Sequence, residues 1–148
     1  MKYLRSAASA GLLALCCSVP AMAADAWVAD WDMPNGLAEL RQGNFKNALM
    51  FAAYLDRQGR PFLTDDMKQA LRGGLAASLG QGQGVFLSVV NDVVEAPGKS
   101  VQKDPGLVSR LMATETSRAA HRADLLALLA AYPFTGLELD YERVGTDD

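Results

Sequence analysis

The stretch that decides the fold is Phe134-Thr135-Gly136-Leu137-Glu138-Leu139-Asp140-Tyr141-Glu142, close to the end of a 148-residue chain. From Leu137 to Glu142 apolar and acidic residues alternate without a break. Successive side chains of a β-strand point to opposite faces. A strand over 135–142 therefore gathers Glu138, Asp140 and Glu142 on one face and Leu137, Leu139 and Tyr141 on the other. A half-exposed antiparallel strand would carry the same alternation at no cost. On a covered face, three carboxylates lose hydration and repel one another, and so demand a reason. What surrounds this strand decides between the two.

Upstream, the chain alternates strand-like and helical stretches. Leu125, Leu128, Leu129 and Tyr132 have the spacing of one buried helix face, and Pro133 ends that helix. A further helical piece is expected from Gly106 onward, after a loop from Glu95 to Pro105. Before it, Val85 to Val90 reads as a buried strand closed by Asn91-Asp92. Ala48 to Leu55 is almost wholly apolar, as in a strand covered on both faces, and it ends in the turn Asp56-Arg57-Gln58-Gly59. Thr64 is placed to cap a helix with Asp65 and Asp66 in its first turn, running to about Leu79 and weakened at Gly73-Gly74. The first strand spans Ala26 to Asp32, followed by a turn at Met33-Pro34-Asn35-Gly36 and a short helix from Leu37 to Arg41.

Strand and helix repeated to a fourth strand form the first half of a (β/α)8 barrel, a fold of about 250 residues when complete. The expected class is thus α/β, a TIM barrel truncated after strand 4, with its domain over 24–148. In such a barrel the acids would face inward, and active sites lie at the carboxyl ends of the strands, where Glu142 stands. The free edges of the first and fourth strands would favour self-association.

Residues 1–23 have the layout of a secretory signal, with Lys2 and Arg5 before an apolar run from Ala7 to Val19 and Ala21-Met22-Ala23 at the cleavage point. The run falls short of the roughly 20 residues that span a bilayer, so a periplasmic or secreted protein without a membrane anchor is expected. Both cysteines, Cys16 and Cys17, lie inside that signal. Leu15 before Cys16 is the wrong kind of residue for a lipoprotein signal. The chain carries 14 basic against 17 acidic residues, and loss of Lys2 and Arg5 would make it more acidic still. Nucleic-acid partners, which require a basic face, are excluded on that balance.

The segment from Thr135 to Glu142 resembles the strand-four signature D-G-x-D-x-D-x-E of family 18 glycoside hydrolases. Gly136, Asp140 and Glu142 match it, Thr135 replaces the first aspartate and Glu138 the second. Leu87-Ser88-Val89-Val90-Asn91 is more similar to the peptidoglycan-processing and spore-cortex branch than to the Ser-x-Gly-Gly of typical chitinases. Trp31-Asp32, Tyr54 and the run Tyr132 to Gly136 also resemble that branch. The resemblance implies hydrolysis of N-acetylated aminoglycans such as peptidoglycan or chitin, with no cofactor and no metal, and an inactive or nearly inactive 148-residue chain, since strands five to eight would supply half the cleft. Glu142 would be the catalytic acid. Asp140 would orient the substrate's 2-acetamido group, which acts as the nucleophile, and Glu138 would share a proton or hydrogen bond with Asp140. Tyr54, Asn91 and Trp31 would contact the sugar.

Two other readings compete. A degenerate, non-hydrolytic sugar-binding relative would keep the fold and lose the chemistry. A compact doubly wound domain could use Asp30, Asp32, Asp140 and Glu142 to hold a divalent metal, but it leaves Gly136 and the ordered acids unexplained. His121 lies beside Arg118 and Arg122 and is expected on a solvated helix face, and Trp27 could stack on a sugar or pack inside.

Overall fold

The computed structural model describes residues 24–43, 45–73, 75, 82–96 and 99–144. The expected signal segment, residues 1–23, lies outside them, as does most of the stretch from Gly73 to Gly82. In chain order the elements are β1 (Ala24–Ala29), a 3-10 turn (Asp30–Asp32), α1 (Met33–Gln42), β2 (Phe45–Leu55), β3 (Pro61–Leu63) and α2 (Asp65–Arg72). They continue with β4 (Gly84–Ala96), β5 (Lys99–Val101), α3 (Pro105–Met112), α4 (Glu115–Ala131) and β6 (Gly136–Asp140).

All six strands belong to one sheet. β1, β2, β4 and β6 lie side by side in chain order and run parallel, and β3 and β5 add short antiparallel pieces at the carboxyl ends of β2 and β4. The described strands form an open sheet, with β1 and β6 at the two ends of the parallel order. Mixed α/β with a parallel sheet is thus the observed class; closure into a barrel is not seen among the described residues.

Local chemistry sets the element boundaries. Thr64 caps α2, its hydroxyl accepting from the Met67 N–H at 3.3 Å. Asp104 does the same for α3 through Leu107 N–H at 3.0 Å, and Thr114 with Ser117 forms a reciprocal capping box on α4. Met33-Pro34-Asn35-Gly36 is the first turn of α1 and not a separate loop, because proline's fixed φ and missing N–H suit a helix start. β4 continues past Asn91-Asp92 to Ala96 since β5 supplies it with a partner, so the expected loop from Glu95 holds a strand pair.

Parity divides the sheet into two faces. Val28, Met50, Leu87 and Val89 are buried in the core beneath the helices, together with Met67 of α2, Leu107 of α3 and Leu125 of α4. The opposite face is built of rows in register. One joins Trp27, Leu49, Phe86 and Gly136; the next joins Ala29, Phe51, Ser88 and Glu138. Gly136 has a packing reason in this arrangement: a Cβ there would stand 2.8 Å from the Phe86 ring, which lies across the strand.

Candidate active site

β6 leaves the ladder at Asp140, opposite Val90, and Tyr141 and Glu142 run on without a strand partner. Asn91 holds them instead. Its Nδ2 donates to the Glu142 carbonyl at 2.9 Å, and its Oδ1 accepts from the Glu142 N–H at 3.0 Å. The same amide donates to the Asp104 carbonyl at 3.3 Å, and Asp104 N–H returns a bond to the Asn91 carbonyl at 3.0 Å. Asn91 is 1% exposed. Expected against the sugar, it is instead buried, with its amide engaged by the main chain of Glu142 and Asp104. Ser88 faces the acids across the register, so along β4 it is Asp92 that shares their face.

A groove of about 740 Å3 opens at this end of the sheet. Asp140 and Glu142 of the acid segment line it, with Asp30, Trp31 and Tyr54 from the carboxyl ends of β1 and β2. Trp27, Phe51, Asp92 and Lys103 complete the nearest walls. Trp27 stacks on Phe51 with ring centres 5.1 Å apart, and Trp31 meets the same ring edge-on at 5.6 Å. Trp31 is nonetheless 72% exposed and Trp27 56%, so both indoles present faces to whatever enters. Of the residues singled out in the sequence, Glu142, Asp140, Tyr54 and Trp31 are brought together here. Glu138 lies one step down the strand, where its carboxylate accepts the Ser88 hydroxyl instead of bonding Asp140.

The groove is acidic around a single lysine among its lining residues. Burial raises the Asp140 carboxyl above its ordinary range, reinforced by the charges of Glu142 and Glu138, while Lys103 opposes the rise. Lys103 sits in the left-handed backbone region at φ 54, with its N–H bonded to Asp92 Oδ1 at 2.8 Å. From there its ammonium forms an ion pair with Glu142 Oε2. The Tyr54 hydroxyl donates to Asp30 Oδ1 at 3.1 Å. Burial first, then the Asp30 charge, hold the Tyr54 phenol well above its ordinary value, so it stays a hydrogen-bond donor. Lys103, Asp92 and Phe51 were missed in the sequence. Strand parity from Ser88 could have found Asp92; Lys103 depends on the β5 fold-back, for which no signal was evident.

On the helix side, His121 is 4% exposed and its Nε2 lies 2.6 Å from the Tyr141 hydroxyl. The expected solvated position is overturned. α4 turns this residue toward the sheet, while its neighbour Arg122 remains exposed. Burial lowers the imidazole's proton affinity, with smaller opposing pulls from the Gly59 backbone and Asp124. Burial also pushes the Tyr141 phenol up to about 12.

Among the described residues no cluster of three or more acids, histidines or cysteines is close enough to hold a metal ion. Of the four acids of the metal reading, Asp30, Asp140 and Glu142 line the groove, with Asp30 bonded to Tyr54, while Asp32 lies outside that lining and accepts from Asn35 at 2.7 Å.

No family model matches the chain, and no curated protein does. Solved structures do. The spore cortex-lytic enzyme SleL of Bacillus cereus superposes with a TM-score of 0.60 at 18% identity, over 83% of this chain and 28% of that one. A family 18 N-acetylglucosaminidase from Paenibacillus barengoltzii gives 0.56 at 17% identity, over 81% and 31%. A chitinase from Rhizomucor miehei gives 0.57 at 20%, over 81% and 28%. The likeness is one of fold, and this chain spans less than a third of the length of each of these enzymes. The open parallel sheet with its acid-bearing last strand is therefore similar in fold to part of the chitinase-like glycoside hydrolases of family 18.

Proposed function

We propose that this chain carries the acid-bearing part of a glycosidase site for N-acetylated aminoglycans of the peptidoglycan or chitin kind. The observation that carries the reading is the joint placement of Asp140 and Glu142 in a groove walled by the exposed indoles of Trp27 and Trp31. Carboxylic acids beside aromatic faces are what sugar cleavage needs: a proton for the leaving oxygen, and apolar surface for the ring.

In the proposed reaction Glu142, in its neutral form, gives its proton to the glycosidic oxygen as the C–O bond breaks. The substrate's acetamido oxygen takes the anomeric carbon, forming a cyclic intermediate with the sugar's own atoms. Asp140 accepts the acetamido N–H and faces the developing positive charge, and Glu138 backs it from Ser88. Water then opens the intermediate with retention, returning a proton to Glu142. Lys103 must release Glu142 before the first step, since an ion-paired carboxylate has no proton to give. The experiment is the release of new reducing ends from N-acetylated aminoglycans. Any turnover is expected to fall by about 10²-fold or more in Glu142→Gln. Turnover that survives this substitution contradicts the assignment.

A further inference from the structure

We propose that His121 is a positioning residue for Glu142, acting through the hydroxyl of Tyr141. This rests on the reading of Glu142 as proton donor.

Tyr141 stands between the two acids of the groove, and alternation sends its side chain to the opposite side of the segment. There its ring packs against the core and its hydroxyl meets His121 Nε2 at 2.6 Å. The location matters because the strand ladder stops at Asp140. Beyond that point Asn91 bonds the N–H and the carbonyl of Glu142, one from each of the two peptide groups that flank it, and so holds the main chain from the β4 side. A second anchor on the far side holds it from the helix layer. The Tyr141 hydroxyl tied to α4 is such an anchor, and it sets the direction in which the Glu142 side chain leaves the backbone.

The partner is built for this purpose. His121 is buried, and its other ring nitrogen, Nδ1, has no hydrogen-bond partner among the described residues. The 2.6 Å contact with Tyr141 is the short side-chain contact that this buried imidazole makes, with the Gly59 backbone a weaker neighbour. Because burial disfavours the imidazolium, the consistent arrangement has Tyr141 donating to an unprotonated Nε2. Misplacing a catalytic group by about 1 Å can cost about 10²-fold in rate, so an anchor of this kind bears on turnover without touching substrate.

The test reads the geometry of the acids directly, in the full 148-residue chain. The groups acting on Asp140 are Glu142, Glu138 and Asp92, which raise its proton affinity, and Lys103, which lowers it. Its carboxyl titration, followed by 13C NMR, therefore reports where Glu142 stands and how well the segment is closed. Tyr141→Phe keeps the ring and removes the hydroxyl; His121→Leu removes the acceptor; His121→Gln restores a polar group near the Nε2 position. Tyr141→Phe and His121→Leu are expected to drop the Asp140 midpoint toward the ordinary aspartate value by about 0.5 pH unit or more. His121→Gln is expected to hold it near wild type. Wild-type titration in Tyr141→Phe and His121→Leu, however far their melting temperatures fall, overturns the proposal and reduces the contact to packing. No glycan is involved, so that failure leaves the glycosidase reading intact, whereas reducing-end release that survives Glu142→Gln defeats the reading and not the anchor.

Discussion

The side-chain amide of Asn91 pairs with the main chain of Glu142 in both directions, at 2.9 and 3.0 Å, continuing by side chain a ladder that the backbone of β6 has left. A buried residue of the third parallel strand thereby fixes an exposed acid just beyond the end of the fourth.

Asn91→Leu breaks this pairing and strands the N–H and carbonyl of Glu142, along with a share of the Asp104 carbonyl. Leaving buried partners unsatisfied costs about 1–3 kcal/mol. The variant is expected to lose about 2 kcal/mol in urea unfolding with an unchanged denaturant slope. A loss under about 0.5 kcal/mol would mean that the amide does not hold the segment.

Gly136→Ala tests the row beneath the acids. The added methyl would stand 2.8 Å from the Phe86 ring, so ring or strand must shift. Overpacking of this kind costs about 1–3 kcal/mol. Thermal melts of Gly136→Ala with and without Phe86→Leu check it, with the double variant recovering part of the loss. Equal losses in both would place the strain elsewhere.

Asp140→Asn carries a pH signature with a definite sign. The Asp140 carboxyl is raised above its ordinary value of 3.8, so the folded chain holds this proton more tightly than the unfolded chain. Stability from this group is present below 3.8 and is lost as pH rises through the folded value. Asparagine carries no such penalty. At pH about 7 the variant is expected to melt at or above the wild-type temperature, with the difference shrinking toward acid pH. Melting curves across the acid range decide the sign, and a variant less stable at neutral pH but recovering in acid would reverse it.

Lys103→Met removes the cation that restrains the Asp140 carboxyl. The Asp140 midpoint, read by 13C NMR, is expected to rise by a few tenths of a pH unit or more, as befits a partly solvated charge. An unmoved or lowered midpoint would show that the lysine's influence is screened away.

The four parallel strands were legible because each announces itself locally: apolar runs bounded by glycine and proline, and in β6 a strict alternation that put three acids on one face. Thr64 was legible as a cap for the same reason. What escaped depended on contacts across the chain. β5 has three residues and exists because it pairs with the end of β4, and Lys103 reaches Glu142 only through that fold-back. His121 looked solvated among arginines, since sequence does not show that α4 turns it toward Tyr141. Asn91 was read as facing the groove because it ends an apolar run, but strand parity puts Asp92 there and leaves Asn91 to the main chain of Glu142.

The most direct test of a sugar site uses the chain's own reporters. The sequence has two tryptophans, Trp27 and Trp31, and both line the groove. Titration with an N-acetylglucosamine oligosaccharide, followed by tryptophan fluorescence, is expected to give a saturable change. Trp31→Ala should weaken that binding by about tenfold, the effect of losing roughly 1.4 kcal/mol of stacking. A fluorescence signal that stays flat up to about 10 mM oligosaccharide, a Kd weaker than any useful glycan site, would contradict the assignment of this groove to aminoglycans.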